Sequence, residues 1–189
     1  MGDGIALWKG DRWDVGWGTL ALDQDGALTL RTADGVARTL LSLDNSAFVD
    51  AYATDRCIFA VGAADEQVVR ASRNGPSIDV ILTAERFQKT TVGSHAVRFH
   101  PLPGTDRCLL TWELGVALVA PEAGFVWSHL HGDPDQRLIK IAGGFAELAG
   151  LHRALTIDLS DGTTTSHELQ RHFEVDIDTL AEWRRGIGR

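Results

Sequence analysis

The chain has 189 residues, of which 44% are apolar and 23% are charged, as in an ordinary globular protein. A chain of this length buries about 70% of the surface that its unfolded form exposes, so the fold needs neither disulfides nor a metal for stability. The formal net charge of −8 argues against nonspecific nucleic-acid binding and against docking on an anionic membrane, since both need a basic surface.

Turn signals recur along the whole chain, mostly as Asp-Gly, Asn-Gly and Gly-Gly pairs, and the runs between them are rich in Val, Ile, Leu, Thr and aromatic residues. Turns spaced by about 8–12 residues are typical of an antiparallel all-β sandwich or barrel. The sequence therefore predicts one all-β domain over residues 1–189, with about twelve short strands in a barrel or two packed sheets. Two similar halves that meet near residues 88–92 are compatible with this pattern.

The first section, Ile5 to Leu43, is predicted to be a twisted meander of three strands. Trp13, Val15 and Trp17 alternate with polar residues and glycines, and the apolar series then changes parity at Leu20. A change of parity beside glycines indicates a bulge or bend within one strand.

The rest of the chain continues the same alternation of short strands and turns. The run Ile58–Val61 is apolar at every position, which predicts burial on both faces. The predicted strands are Ala47–Ala53, Arg56–Gly62, Gln67–Ser72, Ser77–Thr83, Ala96–His100, Arg107–Glu113, Val116–Ala120, Phe125–His131, Leu138–Ile141, Phe145–Leu148, Ala154–Leu159 and Thr163–Glu168.

The segment Ala117–Trp127 combines a strand, an acidic turn containing glycine and a closing tryptophan. In this it resembles the repeat of the PQQ-like propellers, and Ile157–Gly162 is a fainter echo of the pattern. With about 40–45 residues per blade, the chain has room for about four blades. A four-bladed propeller is therefore the alternative architecture, and no function is carried over from the resemblance.

The chain is predicted to end in a closing helix over residues 177–186. Thr179 and Glu182 fit a capping box, and Leu180 and Trp183 belong to an apolar stripe at helical spacing. A short amphipathic helix of this kind most simply packs over an open end of a sheet.

The two cysteines, Cys57 and Cys108, each lie in an apolar run, which is typical of small buried thiols. The N-terminal residues lack the cationic region and long apolar run of a signal peptide. No apolar run approaches the roughly 18–20 residues that a membrane span needs. The expected location is therefore the reducing cytoplasm.

The stretch GFVWSHLHGD, residues 124–133, is predicted to be one strand that runs into a turn. Side chains alternate across a strand, so Phe125, Trp127, His129 and His131 should share one face. Two aromatic rings and two imidazoles on one face could line a pocket.

His129 and His131 also form an H-x-H pair, with Asp133 and Asp135 close behind as oxygen donors. This arrangement resembles the first metal-binding motif of the cupins, whose histidines chelate a metal from one strand. The cupin motif has a Glu where this chain has Asp135, and its second motif has no counterpart downstream. The alternative interpretation is a polar strand end in which both aspartates are turn residues.

Six tryptophans in 189 residues are many, and several lie in predicted strands. They could fill the core, or they could line a cavity for an apolar ligand, which a small β-barrel can hold. The candidate ligand-binding residues are Trp13, Trp17, Trp112, Phe125 and Trp127.

No motif for a serine nucleophile, a phosphate-binding loop or a dinucleotide-binding turn is present. His129 or His131 could still act as a general acid or base, because an imidazole titrates near neutral pH. Glu113, beside Trp112 in an apolar strand, is the carboxyl group for which we expect a raised pKa.

Three hypotheses for function follow from these residues. The first is a noncatalytic module that binds a small apolar ligand or a protein partner through its aromatic face. The second is a cofactor-independent isomerase or cyclase acting on a hydrophobic metabolite, with His129, His131 and Glu113 as catalytic residues. The third is a cupin-like metal enzyme. The first two need no metal or other cofactor. Each of the three hypotheses is compatible with a homodimer.

Overall fold

A computed structural model describes residues 2–43, 48–62, 67–75, 77–82, 97–133, 136–150 and 153–169. These residues form 17 strands in four antiparallel sheets, so the all-β prediction is confirmed. In the same ranges, no helix is long and apolar enough to cross a membrane. The predicted closing helix at 177–186 and the predicted boundary at 88–92 lie outside the described residues.

Each sheet is a meander of consecutive strands, except that β1 adds to the edge of sheet II beside β6; the strands are numbered here in chain order. Sheet I contains β2 (Arg12–Asp14), β3 (Gly18–Leu22), β4 (Ala27–Thr32) and β5 (Ala37–Ser42). Sheet II contains β1 (Asp3–Trp8), β6 (Phe48–Ala53), β7 (Cys57–Gly62), β8 (Val68–Ser72) and β9 (Ile78–Leu82). Sheet III contains β10 (Arg98–Pro101), β11 (Cys108–Trp112), β12 (Gly115–Ala120) and β13 (Gly124–Leu130). Sheet IV contains β14 (Arg137–Ala142), β15 (Phe145–Ala149), β16 (Arg153–Asp158) and β17 (Thr164–Glu168).

The sheets pack face to face in the order I, II, III, IV, and a separate apolar core fills each interface. The middle sheets are apolar on both faces, as β7 illustrates. Ile58 and Ala60 pack in the core toward sheet I, whereas Phe59 and Val61 pack in the core toward sheet III. The predicted burial of Ile58–Val61 on both faces is therefore confirmed.

The prediction of a closed barrel is wrong, and the packed sheets number four rather than two. A barrel needs one sheet whose first and last strands pair, whereas every strand pair here lies within one of four open sheets, including the pair of β1 with β6 in sheet II. Four consecutive meanders match the number of blades in the propeller alternative. In the described part of the chain, no core cluster joins sheet I to sheet IV.

The section Ile5 to Leu43 has five strands rather than the three predicted, because β1 precedes the meander and Trp13 to Leu22 forms two strands and not one bent strand. The chain reverses at Gly16, whose φ of +81° is rarely adopted by residues with a side chain. The Asp14 carboxylate accepts the Gly16 N–H at 2.8 Å, and Val15 N–H donates to Gly18 O at 2.9 Å. The change of parity at Leu20 is thus the mark of a turn.

Corresponding strands of the four meanders run in the same direction, so their turns lie at two opposite ends of the stack. The turns after β2, β4, β6, β8, β10, β12, β14 and β16 lie at one end, called the upper end here. The opposite end is called the lower end, and the described turns after β1, β3 and β11 lie there. Contacts between upper turns of neighbouring sheets support this alignment, since Arg56 pairs with both Asp106 and Glu122.

Asp50 is a buried carboxylate of β6 that links sheets II and III. Its Oδ2 atom accepts the Phe99 N–H at 2.6 Å, and Arg98 Nη1 lies 3.8 Å from Oδ1. Burial raises the pKa of Asp50 to about 6, although the Phe99 hydrogen bond and the Arg98 charge act in the opposite direction. The charged form of this link is therefore less stable than the protonated form in mildly acidic solution.

Asp50→Asn should remove a pH-dependent contribution to stability while keeping an oxygen that accepts the Phe99 N–H. A carboxyl group with a raised folded pKa contributes stability that is present below the unfolded pKa of about 3.9 and is lost as pH rises through about 6. The free energy of unfolding of the wild type, relative to D50N, should fall by on the order of 2–3 kcal/mol across that interval. Urea denaturation at a series of pH values measures it.

The matched control is Asp25→Asn, which removes a carboxylate from the exposed turn between β3 and β4. If the wild type and D50N keep a constant stability difference across this pH interval, Asp50 does not carry the expected titration.

Candidate functional site

The central stretch at 124–133 does form a strand that runs into a turn, but its side chains do not share one face. Leu118 of β12 pairs with Trp127, and the next residue, Val119, pairs with Phe125, so Val126 is an extra residue in β13. A bulge of this kind reverses the alternation of side chains. Phe125 therefore packs against the core between sheets II and III, and Trp127 packs against the core between sheets III and IV.

His131 lies at the lower end, directly after β13, and is buried with 7% of its surface exposed. Its N–H donates to Leu114 O at 2.9 Å, and its carbonyl accepts from Arg153 Nη2 at 2.7 Å. The ring atom Nδ1 accepts the Asp133 N–H at 3.2 Å. Nε2 is buried and has no hydrogen-bond partner among the described residues. The imidazole thus holds a turn in place.

Gln136 completes a polar cluster around this turn. Its side-chain Nε2 donates to Arg153 O at 2.7 Å, and its backbone N–H donates to Asp133 O at 3.1 Å. A Cβ atom added at Gly150 would lie 3.0 Å from an Asp133 carboxylate oxygen and 3.2 Å from Gln136 Nε2. Polar groups therefore fill the lower end between sheets III and IV tightly.

Burial lowers the pKa of both predicted catalytic histidines. The pKa of His131 is lowered to about 4, first by desolvation and then by the charge of His129. The pKa of His129 is also lowered, first by desolvation and then by Arg153. A base with a pKa near 4 takes up a proton poorly at neutral pH, so His131 is weakly suited to general base catalysis.

No group of three or more His, Cys, Asp or Glu side chains is placed to hold one metal ion in the ranges that the structure describes. Asp135, the residue that stands in place of the cupin Glu, lies outside these ranges. The described residues therefore add no further metal ligand to His129 and His131, as the cupin-like interpretation would need.

Trp112 and Glu113 lie near the lower end, at the turn between β11 and β12. Trp112 is 5% exposed and packs in the core between sheets II and III, where its ring lies over Gly115. A side chain at Gly115 would collide with that ring. Glu113 is half-buried, and its expected raised pKa stays a prediction.

Trp13 and Trp17, predicted to bind a ligand, lie at the upper end between sheets I and II. Trp17 is 6% exposed, and its Nε1 donates to Thr54 O of sheet II at 2.8 Å. Trp13 is half-buried at the edge of the same core. Because one hydrogen bond joins the ring of Trp17 to the neighbouring sheet, that ring is held in one orientation.

Two cavities of about 700 and 410 Å³ lie on either side of Trp17, and we call them together the tryptophan groove. Trp17 and Arg73 belong to the walls of both cavities. The larger cavity is lined by Trp17, Thr32, Ala33, Asp34, Val36, Arg38, Arg73, Asn74 and Gly75. The smaller cavity is lined by Asp3, Trp13, Asp14, Val15, Gly16, Trp17, Ala53, Thr54, Asp55 and Arg73.

The two arginines of the groove were not found by sequence reasoning. Arg38 lies in strand β5 and Arg73 follows strand β8, so they are far apart in the chain and belong to no motif. The Asn74-Gly75 turn beside Arg73 was recognisable, but only as a turn. The packing of sheet I on sheet II brings the arginines to one cavity.

A third cavity of about 540 Å³ lies at the upper end between sheets III and IV. Its walls come from the turn after β10, which includes Arg107, and from the turns after β14 and β16, with Phe145 at the rim. None of the residues predicted to act in catalysis or ligand binding lines this cavity.

The predicted site residues therefore lie in three interfaces rather than around one pocket. The interface between sheets I and II holds Trp13 and Trp17. The interface between sheets II and III holds Trp112 and Phe125. The lower end between sheets III and IV holds His131 and its neighbour His129, with Trp127 above them.

No protein-family model matches this chain, and a search of curated proteins finds no significant match. The function is accordingly inferred from the geometry described above.

His131→Asn should remove a pH-dependent contribution to stability, since an Asn oxygen can replace Nδ1 as the acceptor for Asp133 N–H. A histidine with a lowered folded pKa contributes stability that is present above the unfolded pKa of about 6.5 and is lost as pH falls through about 4. The wild type should lose on the order of 2–3 kcal/mol relative to H131N over that interval. Chemical denaturation at several pH values measures the difference.

His167→Asn is the matched control, because His167 is exposed on β17. Parallel stability curves for the wild type and H131N would show that His131 is not held neutral by burial.

Proposed function

We propose that the protein is a noncatalytic binding module that holds a small ligand in the tryptophan groove. The observation that carries this proposal is the pair of cavities of about 700 and 410 Å³ that share Trp17 and Arg73 as walls. Small-molecule sites in proteins typically measure about 300–1,000 Å³ and combine apolar walls with a few polar groups.

Trp17, which is 6% exposed, and Trp13, which is half-buried, line the groove with aromatic side chains whose positions are set by the fold. The ring of Trp17 is held by core packing and by the hydrogen bond to Thr54 O at 2.8 Å, so it loses little freedom when a ligand binds. Planar aromatic and other flat apolar groups stack well on such rings. The expected ligand is therefore small and at least partly flat and apolar.

The rest of the groove is formed by upper-end turns of two rigid sheets. Turns carried on packed sheets often hold binding residues, since the scaffold fixes their positions while their sequence can vary. The concave shape favours a small molecule over the flat surface of a protein partner. Cys57 and Cys108 are both free thiols buried in one core, which supports the proposed cytoplasmic location.

The alternative, a cofactor-independent isomerase or cyclase, draws less support from the geometry. His129 and His131 lie at the lower end of the stack, and neither lines any of the three cavities described above. The low pKa of His131 also makes it a weak base at neutral pH.

Trp13→Leu should weaken binding of flat apolar probes about tenfold, because it removes the aromatic surface at the edge of the groove while keeping an apolar side chain. Indole and naphthalene are suitable probes, followed by a panel of aromatic metabolites. Calorimetry measures affinity, and NMR shifts of the Gly16, Trp17 and Gly75 amides locate the bound probe. Trp8→Leu is the control, since Trp8 is 55% exposed and lines neither cavity.

The proposal is wrong if no probe or metabolite in the panel shifts the amides of the groove. It is also wrong if W13L and W8L lower the affinity equally.

A further inference from the structure

We infer that the ligand of the tryptophan groove carries a negatively charged group, a carboxylate or a phosphate, which Arg38 and Arg73 bind in the larger cavity. This inference rests on the proposed function and adds to it the chemical class of the ligand. Its flat part would lie against Trp17, which separates the two cavities.

Arg38 is a guanidinium held in place by backbone carbonyls. Its Nη2 donates to Ser72 O at 3.1 Å, and its Nη1 donates to Gly75 O, so the side chain of a sheet I residue is fixed on sheet II. Carbonyl oxygens satisfy these donors without cancelling the charge. In the described part of the chain, no carboxylate lies within ion-pair distance of Arg38. The positive charge is thus placed before any ligand arrives.

Arg73 provides a second guanidinium at the same cavity, and its side chain is held loosely. The backbone is fixed, since Arg73 N–H donates to Arg56 O at 2.8 Å. The side chain is exposed and has a long hydrogen bond of 3.4 Å from Nη1 to Asp55 O. A guanidinium presents paired donors that match the oxygens of a carboxylate or a phosphate. Arg73 can therefore close on an anion that Arg38 attracts.

The carboxylates around the groove determine which cavity the anion enters. Asp34 is the one carboxylate among the lining residues of the larger cavity, against Arg38 and Arg73, so that wall has a net positive charge. Its Oδ1 atom accepts from the Thr32 hydroxyl and from Val36 N–H at 3.4 Å; these bonds keep it in the turn and lower its pKa, and the charge of Arg38 makes a smaller contribution in the same direction.

The smaller cavity has the opposite sign. Its walls contain Asp3, Asp14 and Asp55 and only the shared Arg73, so the net charge there is negative. An anionic group is repelled from that side, and the ligand has one preferred orientation across Trp17. This contrast between neighbouring cavities is what assigns the anion to the Arg38 side.

The experiment compares neutral and anionic probes with the same ring. Indole, indole-3-carboxylate and indoxyl phosphate are titrated into the full chain by calorimetry, and NMR shifts of the Trp17, Asn74 and Gly75 amides locate them. At least one anionic probe should bind about tenfold more tightly than indole, which is typical of adding one charge-assisted contact. The advantage should shrink as salt concentration rises. Comparison of the affinities of indole-3-carboxylate and indoxyl phosphate shows which anion the site prefers.

Arg73→Gln should remove most of the anionic advantage, measured as the ratio of each anion's affinity to that of indole for the same variant. Arg38→Gln should do the same, and Arg38→Lys should keep part of it. Arg31→Gln is the matched control, because Arg31 is exposed on the outward face of sheet I and lines neither cavity. If R38Q does not fold, as judged by thermal unfolding, R73Q decides the question, since Arg73 is exposed.

The outcomes separate this inference from the proposed function. If indole and both anions shift the groove amides with equal affinity, or if R73Q and R31Q behave alike, the anionic class is wrong while a binding groove remains. If no probe shifts those amides, the groove itself is not a binding site, and both the proposed function and the anionic class of the ligand are wrong.

Discussion

The structure depends on one constraint, which is that every sheet must cover its apolar faces with another sheet. The central strands β7 of sheet II and β12 of sheet III are apolar and buried at every position, so each of these sheets needs a neighbour on both sides. Phe59 and Ala60, adjacent in β7, lie in different cores for this reason. The outward face of sheet I carries Thr19, Thr29 and Arg31, which need no cover. A serial stack of four sheets satisfies this pattern.

Polar contacts act within this apolar stack as links between particular sheets. The Trp17 hydrogen bond to Thr54 O joins sheets I and II, and the Asp50 bond to Phe99 N–H joins sheets II and III. Arg153, through His131 O, joins sheets III and IV. Burial raises the pKa of Asp50 to about 6 and lowers the pKa of His131 to about 4, so each group keeps its neutral form over a wider pH range than an exposed group would. These groups orient the sheets.

The stack also explains why the groove forms between the upper turns of sheets I and II. Strands of neighbouring sheets pack closely along their length, whereas the turns project beyond the packed region and leave concave space between them. The upper end between sheets III and IV also leaves a cavity, whereas at the lower end between these sheets Gln136, Asp133 and the backbone at Gly150 pack closely. The residues in the turns thus decide which end of an interface is open.

The sequence by itself determined the all-β class, the positions of most strands and turns, and the burial of Ile58–Val61, because period and turn chemistry are local properties. It also named Trp13 and Trp17 as candidates for a ligand wall; both line the groove, and ligand binding by them stays a prediction. The number of sheets and the faces of Phe125 and Trp127 depended on the tertiary structure. A strand's partner decides where a bulge such as Val126 falls, and one extra residue reverses every side chain beyond it. Arg38 and Arg73 meet only because two sheets pack, and no local pattern in the chain records that contact.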